Sequence, residues 1–198
     1  ENCLETPHQT SWGVSTRLLG AIIMVHGDDN GLVLPPHVAP TQVVIVPIRQ
    51  KEEGILDACY KIADTLKKQG VRVKVDDDDS KTPGWKFSEY EMKGVPLRIE
   101  VGPRDLAEGK AVMTKRVNGE KVVAPIEELE SKIPSLLDEI HDDMYKKAKA
   151  FLDEHIYDAT TIDELKAGLD KGGYVRMAYC GEEECELKIK EITLDGTA

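Results

Sequence analysis

The 198-residue chain lacks the features that define several common protein classes. Its four cysteines are Cys3, Cys59, Cys180 and Cys185, which are too few and too scattered for a disulfide framework. We therefore expect a reducing compartment, the cytoplasm. No apolar run approaches the roughly 20 residues that a membrane span needs, so we expect no membrane partner.

The chain also lacks the short motifs of common enzyme classes. It contains no Gly-x-Ser-x-Gly, no GxxxxGKS and no HExxH, and its five histidines are dispersed. The residues alone therefore indicate no catalytic nucleophile with its general base. Any prediction of function has to rest on residues that could bind a ligand.

Basic residues are scarce overall but concentrated in one segment. The net charge is −11, which argues against a nucleic acid binding over most of the surface. Residues 81–121 nevertheless contain nine Lys and Arg against six Asp and Glu. This basic island is compatible with a polyanion that binds at one place and is repelled elsewhere.

The hydrophobic pattern predicts an α/β protein with a mixed sheet flanked by helices. The continuous β-branched run TQVVIVPI is typical of a strand covered on both faces. The predicted strands are 41–48, 71–75, 95–102, 111–117 and 120–125, and the predicted helices are 54–69, 86–93 and 126–156. A second small α/β unit is predicted from helix 162–171, strand 174–180 and helix 183–192.

The first segment predicts a strand that runs into a helix over residues 10–26. Ser15 or Thr16 would cap the helix, and Gly27 would take the left-handed position at its end. Arg17 lies at the helix start beside small residues, where a guanidinium could bind phosphate oxygens or stack on a base. A ligand role and a surface ion pair are equally good explanations of Arg17.

Two further groups of residues are weaker candidates for a site. The four acids Asp76–Asp79 are better explained as a solvated turn than as a metal site. Cys180 and Cys185 form a C-x4-C pair between a strand and a helix, which could supply two of the four ligands of a structural zinc or be two free thiols. Cys59 is expected in the core.

The densest mixture of aromatic, acidic and basic side chains is PGWKFSEYEMKGVPLRIEVGPRD, residues 83–105. Unpaired RNA bases are bound by aromatic stacking and by hydrogen bonds to their edges. A carboxylate can accept from the donors of guanine, and Arg can donate to its O6 and N7. Taken alone, however, the cluster is more often a Trp and Phe core with surface ion pairs.

Four stretches together resemble the prolyl-tRNA synthetase family in its archaeal/eukaryotic-type form. They are QTSWGVSTRLLGAIIMVHGDDNGLVLPP, TQVVIVPI, PGWKFSEYEMKGVPLRIEVGPRD and CGEEEC. The resemblance implies three parts. Residues 1–40 would end a class II antiparallel catalytic domain with its motif 3, residues 41–145 would form an anticodon-binding domain, and residues 146–198 would form an incomplete zinc-binding-type α/β domain.

The resemblance also implies roles for individual residues. Arg17 would contact ATP as a catalytic residue. Trp12, Gly13 and Ser15 would border the prolyl-adenylate pocket with it. The positions expected to approach the two guanines of the proline anticodon are Phe87, Glu91, Arg98, Arg104 and Asp105. Cys180 and Cys185 match the first half of a zinc site.

The implied activity is activation of proline with ATP and Mg²⁺ and its transfer to tRNA(Pro), in an enzyme expected to be a homodimer. Zn²⁺ would be a further cofactor only if all four zinc ligands were supplied. Motifs 1 and 2 are missing from the sequence, so we expect this portion alone to be inactive. The alternative is a stand-alone anticodon-binding-like RNA-binding module without catalytic activity.

Overall fold

A computed structural model describes residues 7–193, and Cys3 lies outside them. The chain divides after Met144 into two units. Among the described helices, none combines the length and the apolar character that crossing a membrane would require.

The first unit is built on a five-stranded mixed sheet in the order β2-β1-β3-β4-β5. β1 pairs in parallel with β2 and β3, whereas β4 pairs antiparallel with β3 and β5. The strands are β1 (Val43–Pro47), β2 (Val73–Val75), β3 (Leu97–Val101), β4 (Lys110–Lys115) and β5 (Lys121–Pro125). All five lie within the predicted strand ranges or one residue from them, and the mixed sheet is confirmed.

The helices of this unit are α1 (Arg17–His26), α2 (Ile55–Lys68), α3 (Pro83–Met92), α4 (Pro103–Ala107) and α5 (Leu129–Glu154), which begins after a short 3₁₀ turn. The unit boundary falls within α5. The sequence did not predict α4, because five residues are too few for a periodic pattern.

The main core lies between one face of the sheet and helices α2 and α5. Val43, Ile45, Leu97 and Ile99 from the strands are fully buried in it with helix residues such as Ile133. On the opposite face, α3 covers β1 through a smaller cluster that contains Val44, Val46, Tyr90 and Val95. β1 is therefore buried on both faces, as its continuous apolar run predicted.

The first helix differs from the prediction at both ends. Residues 10–15 form no strand, and nothing in the described chain pairs with them as a strand requires. Gly27 is extended, with φ −63° and ψ 155°, so the left-handed assignment was wrong. Glycine is needed there for space, because an added Cβ would lie 2.6 Å from the carbonyl oxygen of Ile23.

The second unit contains a parallel pair, β6 (Ile156–Ala159) and β7 (Tyr174–Met177), connected by α6 (Ile162–Asp170) and followed by α7 (Glu183–Thr193). α6 begins with a reciprocal capping arrangement between Thr161 and Glu164. At Gly168 an added Cβ would lie 2.6 Å from Val175, so the helix packs tightly on β7. The small α/β unit is as predicted, except that β6 was missed.

Cys59 provides a test of the main core. Its thiol is fully buried on α2, and burial raises its pKa to about 11. Because the thiolate is the reacting species, we expect Cys59 to stay unmodified by N-ethylmaleimide at pH 8 in the folded protein and to react after denaturation. Peptide mapping by mass spectrometry measures this, with the exposed Cys180 as the reactive control. Equal labelling of Cys59 and Cys180 in the folded state would contradict the packing.

Candidate nucleic-acid interface

The face of β3–β5 on the α3 side is only partly covered. Alternation along the strands and their register place one set of side chains there, which we call the open face. The open face consists of Arg98, Glu100, Val112, Thr114, Lys121 and Val123. Val123 is 56% exposed although it is apolar. A sheet face with exposed apolar and charged side chains can serve as a platform for a planar ligand.

Arg98 is held in place on the open face by Glu100 and Phe87. Its Nε and Nη2 donate to Oε1 of Glu100 at 3.1 and 3.0 Å, and the Thr114 hydroxyl donates to the same oxygen at 3.3 Å. The guanidinium carbon lies 4.1 Å from the centre of the Phe87 ring. Phe87 and Arg98, both predicted to approach guanines, are thus brought into contact.

Glu91 lies in the last turn of α3, and α3 is fixed at both ends. The Thr82 hydroxyl accepts from the Trp85 N–H at 3.3 Å, and Pro83 is the first helical residue. Gly94, with φ +71°, ends the helix where an added Cβ would collide with Leu32. The half-buried Glu91 and Arg98 line the same cleft, whose volume is about 530 Å³.

The aromatic residues of this segment are divided between core and surface: Tyr90 belongs to the smaller core cluster and Phe87 packs against it, whereas Trp85 does not. Trp85 is 48% exposed, and the Lys81 ammonium lies 5.0 Å from its ring centroid. Only Tyr90 is buried, and burial raises its pKa to about 12. The segment therefore exposes one aromatic ring, that of Trp85, and buries that of Tyr90.

Arg104 and Asp105 lie in α4, directly after β3. The Asp105 carboxylate accepts from the Gly102 N–H at 3.1 Å and so caps this helix, whereas Arg104 is exposed. Neither residue lines the cleft that contains Glu91 and Arg98. The structure thus brings together three of the five predicted anticodon positions and places these two beyond the end of β3.

Most cations of the basic island are paired with acids. The pairs are Lys86–Asp76, Lys93–Glu89, Arg98–Glu100, Lys110–Glu108, Lys115–Glu120 and Arg116–Asp28. The excess positive charge is consequently small, and any recognition here depends on oriented hydrogen-bonding groups more than on net charge. Asp76 is itself buried against Lys86, so the prediction of a fully solvated acidic turn was wrong at this position.

The positions predicted to contact ATP are open to solvent. Trp12 is 93% exposed, and nothing lies within 4 Å of a Cβ built on Gly13. The Ser15 hydroxyl accepts from the Arg17 N–H at 3.3 Å, and Arg17 is exposed at the start of α1. No residue of α1 is buried.

The cysteine pair lies between β7 and α7, as predicted, with Cys180 exposed and Cys185 partly buried. The N–H of Glu182 and the Cys185 thiol lower the pKa of Cys180. Within residues 7–193 no group of three or more His, Cys, Asp or Glu side chains is arranged to hold a metal ion. Among the described residues, Cys180 and Cys185 are therefore not joined by the further ligands that a structural zinc needs.

Sequence reasoning missed four residues around the cleft. Glu100 holds Arg98, and its position two residues along the same strand was a usable signal. Asp28, Asn30 and Arg116 also line the cleft, and Asn30 donates to the Glu91 carboxylate at 3.2 Å. These contacts join residues 61 and 88 positions apart, for which the sequence contains no local signal.

Comparison with known proteins gives a consistent result. Residues 42–136 match the family model of the anticodon-binding domain. The chain is 52% identical over 194 residues to a proline–tRNA ligase of Lachnospira eligens and 55% identical over 190 residues to one of Clostridium novyi. These alignments cover 98% and 96% of the chain but 40% and 39% of the relatives, so the chain spans about two fifths of their length.

A solved structure shows the same similarity. The crystal structure of prolyl-tRNA synthetase from Cryptosporidium parvum, complexed with L-proline and AMP, superposes with a TM-score of 0.84 at 45% sequence identity. The match covers 92% of this chain and 40% of that one. Over nearly its whole length the chain is therefore similar to part of these prolyl-tRNA synthetases, and residues 42–136 of it match the anticodon-binding domain.

Proposed function

We propose that this chain is the anticodon-reading portion of a prolyl-tRNA synthetase and that it also contributes one ATP contact. The observation that carries the proposal is the cleft in which Glu91 and Arg98 lie together, with Phe87 stacked on the guanidinium. Glu91, Arg98 and most of the other residues that line this cleft are within the residues that match the anticodon-binding domain.

The groups in the cleft are complementary to guanine. The Glu91 carboxylate can accept hydrogen bonds from the N1–H and the 2-amino group of an unstacked guanine. Arg98 can donate to O6 and N7, which no other base presents as a pair of acceptors. Phe87 stacks on the guanidinium and so restricts its orientation. Two guanines in the proline anticodon would thus be distinguished from adenine by donor and acceptor pattern.

In the proposed enzyme, the proline carboxylate attacks the α-phosphorus of ATP, pyrophosphate leaves, and prolyl-adenylate forms. A terminal tRNA hydroxyl then attacks the prolyl carbonyl and AMP leaves. Arg17 would stabilise the negative charge that develops at the α-phosphate.

Several further roles stay predictions that follow from the family resemblance. Arg104 and Asp105 would contact the anticodon from α4, at the end of β3. Cys180 and Cys185 would supply two of four zinc ligands in a protein that provides the others. Mg²⁺ would arrive with ATP. The homodimer and the cytoplasmic location also stay predictions. The alternative, a stand-alone RNA-binding module, gives no reason for the motif 3 segment around Arg17.

The proposal is tested in a full-length synthetase that contains this chain. We expect Glu91→Ala to lower the rate of tRNA(Pro) charging by about 10- to 100-fold, because one base-specific interaction is lost. Proline-dependent exchange between ATP and pyrophosphate should be unchanged, since adenylate formation needs no anticodon. Glu89→Ala, on the same helix but outside the cleft, is the matched control and should charge normally. An equal loss of charging and exchange in Glu91→Ala would refute anticodon reading by this cleft.

A further inference from the structure

A tight turn between α1 and β1 packs directly against the end of α3. The N–H groups of Asp28 and Gly31 each donate to the other residue's carbonyl at 3.1 Å, which closes the turn. Gly31 has φ +126°, and an added Cβ would lie 2.6 Å from the Met92 carbonyl oxygen. The turn therefore contacts Met92, the residue that follows Glu91. In the sequence, however, the turn precedes residues 42–136, which match the anticodon-binding domain.

Arg116 joins the turn to α3. This guanidinium comes from the end of β4 and is 9% exposed. Its Nη1 and Nη2 donate to the two carboxylate oxygens of Asp28 at 2.7 and 2.6 Å, and its Nε donates to the Glu91 carbonyl at 2.8 Å. Such a two-pronged arginine–carboxylate pair fixes orientation as well as distance. The backbone of Glu91 is thereby tied to Asp28.

Asn30 completes the connection through the side chain of Glu91. Its N–H donates to Asp28 at 2.9 Å, and its Nδ2 donates to Oε1 of Glu91 at 3.2 Å. Asp28, Arg116, Glu91 and Asn30 therefore form a closed ring of hydrogen bonds. The ring contacts Glu91 at two points, the carbonyl and the carboxylate, so the rotatable side chain has one favoured direction.

We propose that Asp28, Asn30 and Arg116 are positioning residues that set the Glu91 carboxylate for guanine. This inference rests on the proposed function. It means that the base specificity of the anticodon-binding domain depends on a turn outside residues 42–136. The ring also links the end of α1, which carries Arg17 at its start, to the base-reading cleft. We assign Asn30 a positioning role because its Nδ2 donates to the Glu91 carboxylate.

The experiment separates a role of Asp28 and Asn30 in positioning Glu91 from a role in folding. It compares RNA that contains guanine with RNA that contains inosine, whose base lacks the 2-amino group. Full-length protein is titrated with a fluorescent stem-loop RNA that carries the proline anticodon, and with versions in which each guanine in turn is replaced by inosine. The measured quantity is the ratio of the Kd values. We expect the native protein to prefer guanine by about tenfold at one position, as loss of one base contact implies.

Asn30→Ala and Asp28→Ala are expected to reduce this guanine preference to about twofold or less. Asp29→Ala, an exposed acid in the same turn that does not line the cleft, is the matched control and should keep the native ratio. Asn30 is exposed, so Asn30→Ala is expected to fold; a thermal melt of each variant confirms this. A merely structural role would weaken binding of both RNAs equally and leave the ratio unchanged.

The outcomes distinguish the inference from the function on which it rests. If the native protein prefers guanine and the folded Asn30→Ala and Asp28→Ala variants keep that preference, the positioning role is wrong while anticodon reading stands. If the native protein binds an RNA with adenine in place of the guanines equally well, the proposed function itself fails.

Discussion

Lys86→Met is expected to lower the free energy of unfolding of the first unit by about 3–5 kcal/mol, because it removes one partner of a buried ion pair. The Lys86 side chain is 3% exposed, and its ammonium lies 3.2 Å from Oδ1 of Asp76 and donates to the Asp76 carbonyl at 2.8 Å. The Asp76 side chain is only 11% exposed. Without the ammonium, its carboxylate would remain buried and uncompensated.

Two further variants make this prediction specific. Lys68→Met removes an exposed lysine at the end of α2 and should change stability by no more than about 0.5 kcal/mol. The double variant Lys86→Met/Asp76→Leu removes both charges and should recover much of the loss, because an apolar pair no longer leaves an unpaired ion in the interior.

Urea denaturation followed by tryptophan fluorescence is the measurement. Both tryptophans, Trp12 and Trp85, precede Met144, so the signal reports on the first unit. A loss below about 1 kcal/mol for Lys86→Met, or a double variant as unstable as the single one, would contradict a role of the buried pair in stability.

The same ion pair shows where prediction from sequence reached its limit. Four consecutive acids predicted a solvated turn, and three of them are exposed. Asp76 is buried because α3 crosses the end of β2 and brings Lys86 to it, a tertiary contact between residues ten positions apart in the sequence. No property of the acidic run itself distinguishes Asp76 from its neighbours.

Elements that are defined by their own periodicity were predictable. β1 and α2 follow from a continuous β-branched run and from apolar residues at helical spacing, because burial on two faces or along one stripe leaves those patterns. The prediction of a strand over residues 10–15 was wrong because a strand is not defined by its own periodicity alone. A strand depends on a partner, and none of the described residues pairs with that segment.

Residues of the candidate site could be named from the sequence, but the contacts that hold them could not. The segment 83–105 alone is compatible with a guanine reader and more often explained as a core with ion pairs; the family resemblance is what singled out Phe87, Glu91 and Arg98, whose contacts with guanine stay a prediction. Glu100 and Asn30, which hold Arg98 and Glu91, were missed. The supporting contacts come from residues that are distant in the sequence and meet only in the folded chain. The groups that would contact a ligand lie close together within residues 83–105, so they form a pattern that can be seen in the sequence.

Arg17→Ala is expected to lower proline-dependent exchange between ATP and pyrophosphate by about 100- to 1000-fold in the full-length synthetase, because one preorganised cationic group at the developing charge is lost. Arg17 is exposed at the start of α1 in the described chain, and no residue of that helix is buried. The loss should therefore appear in the exchange rate without a large change in thermal stability.

The control for Arg17 is Arg49, a second exposed arginine. Arg49 pairs with Glu52 at 3.4 Å on the surface of the anticodon-binding domain, and Arg49→Ala should leave exchange unchanged. Arg17→Ala should also keep native affinity for the anticodon stem-loop RNA, since Arg17 does not line the cleft with Glu91 and Arg98. Near-normal exchange in Arg17→Ala would remove the ATP contact from the proposal and leave anticodon reading as the function of this chain, because the two roles depend on different residues.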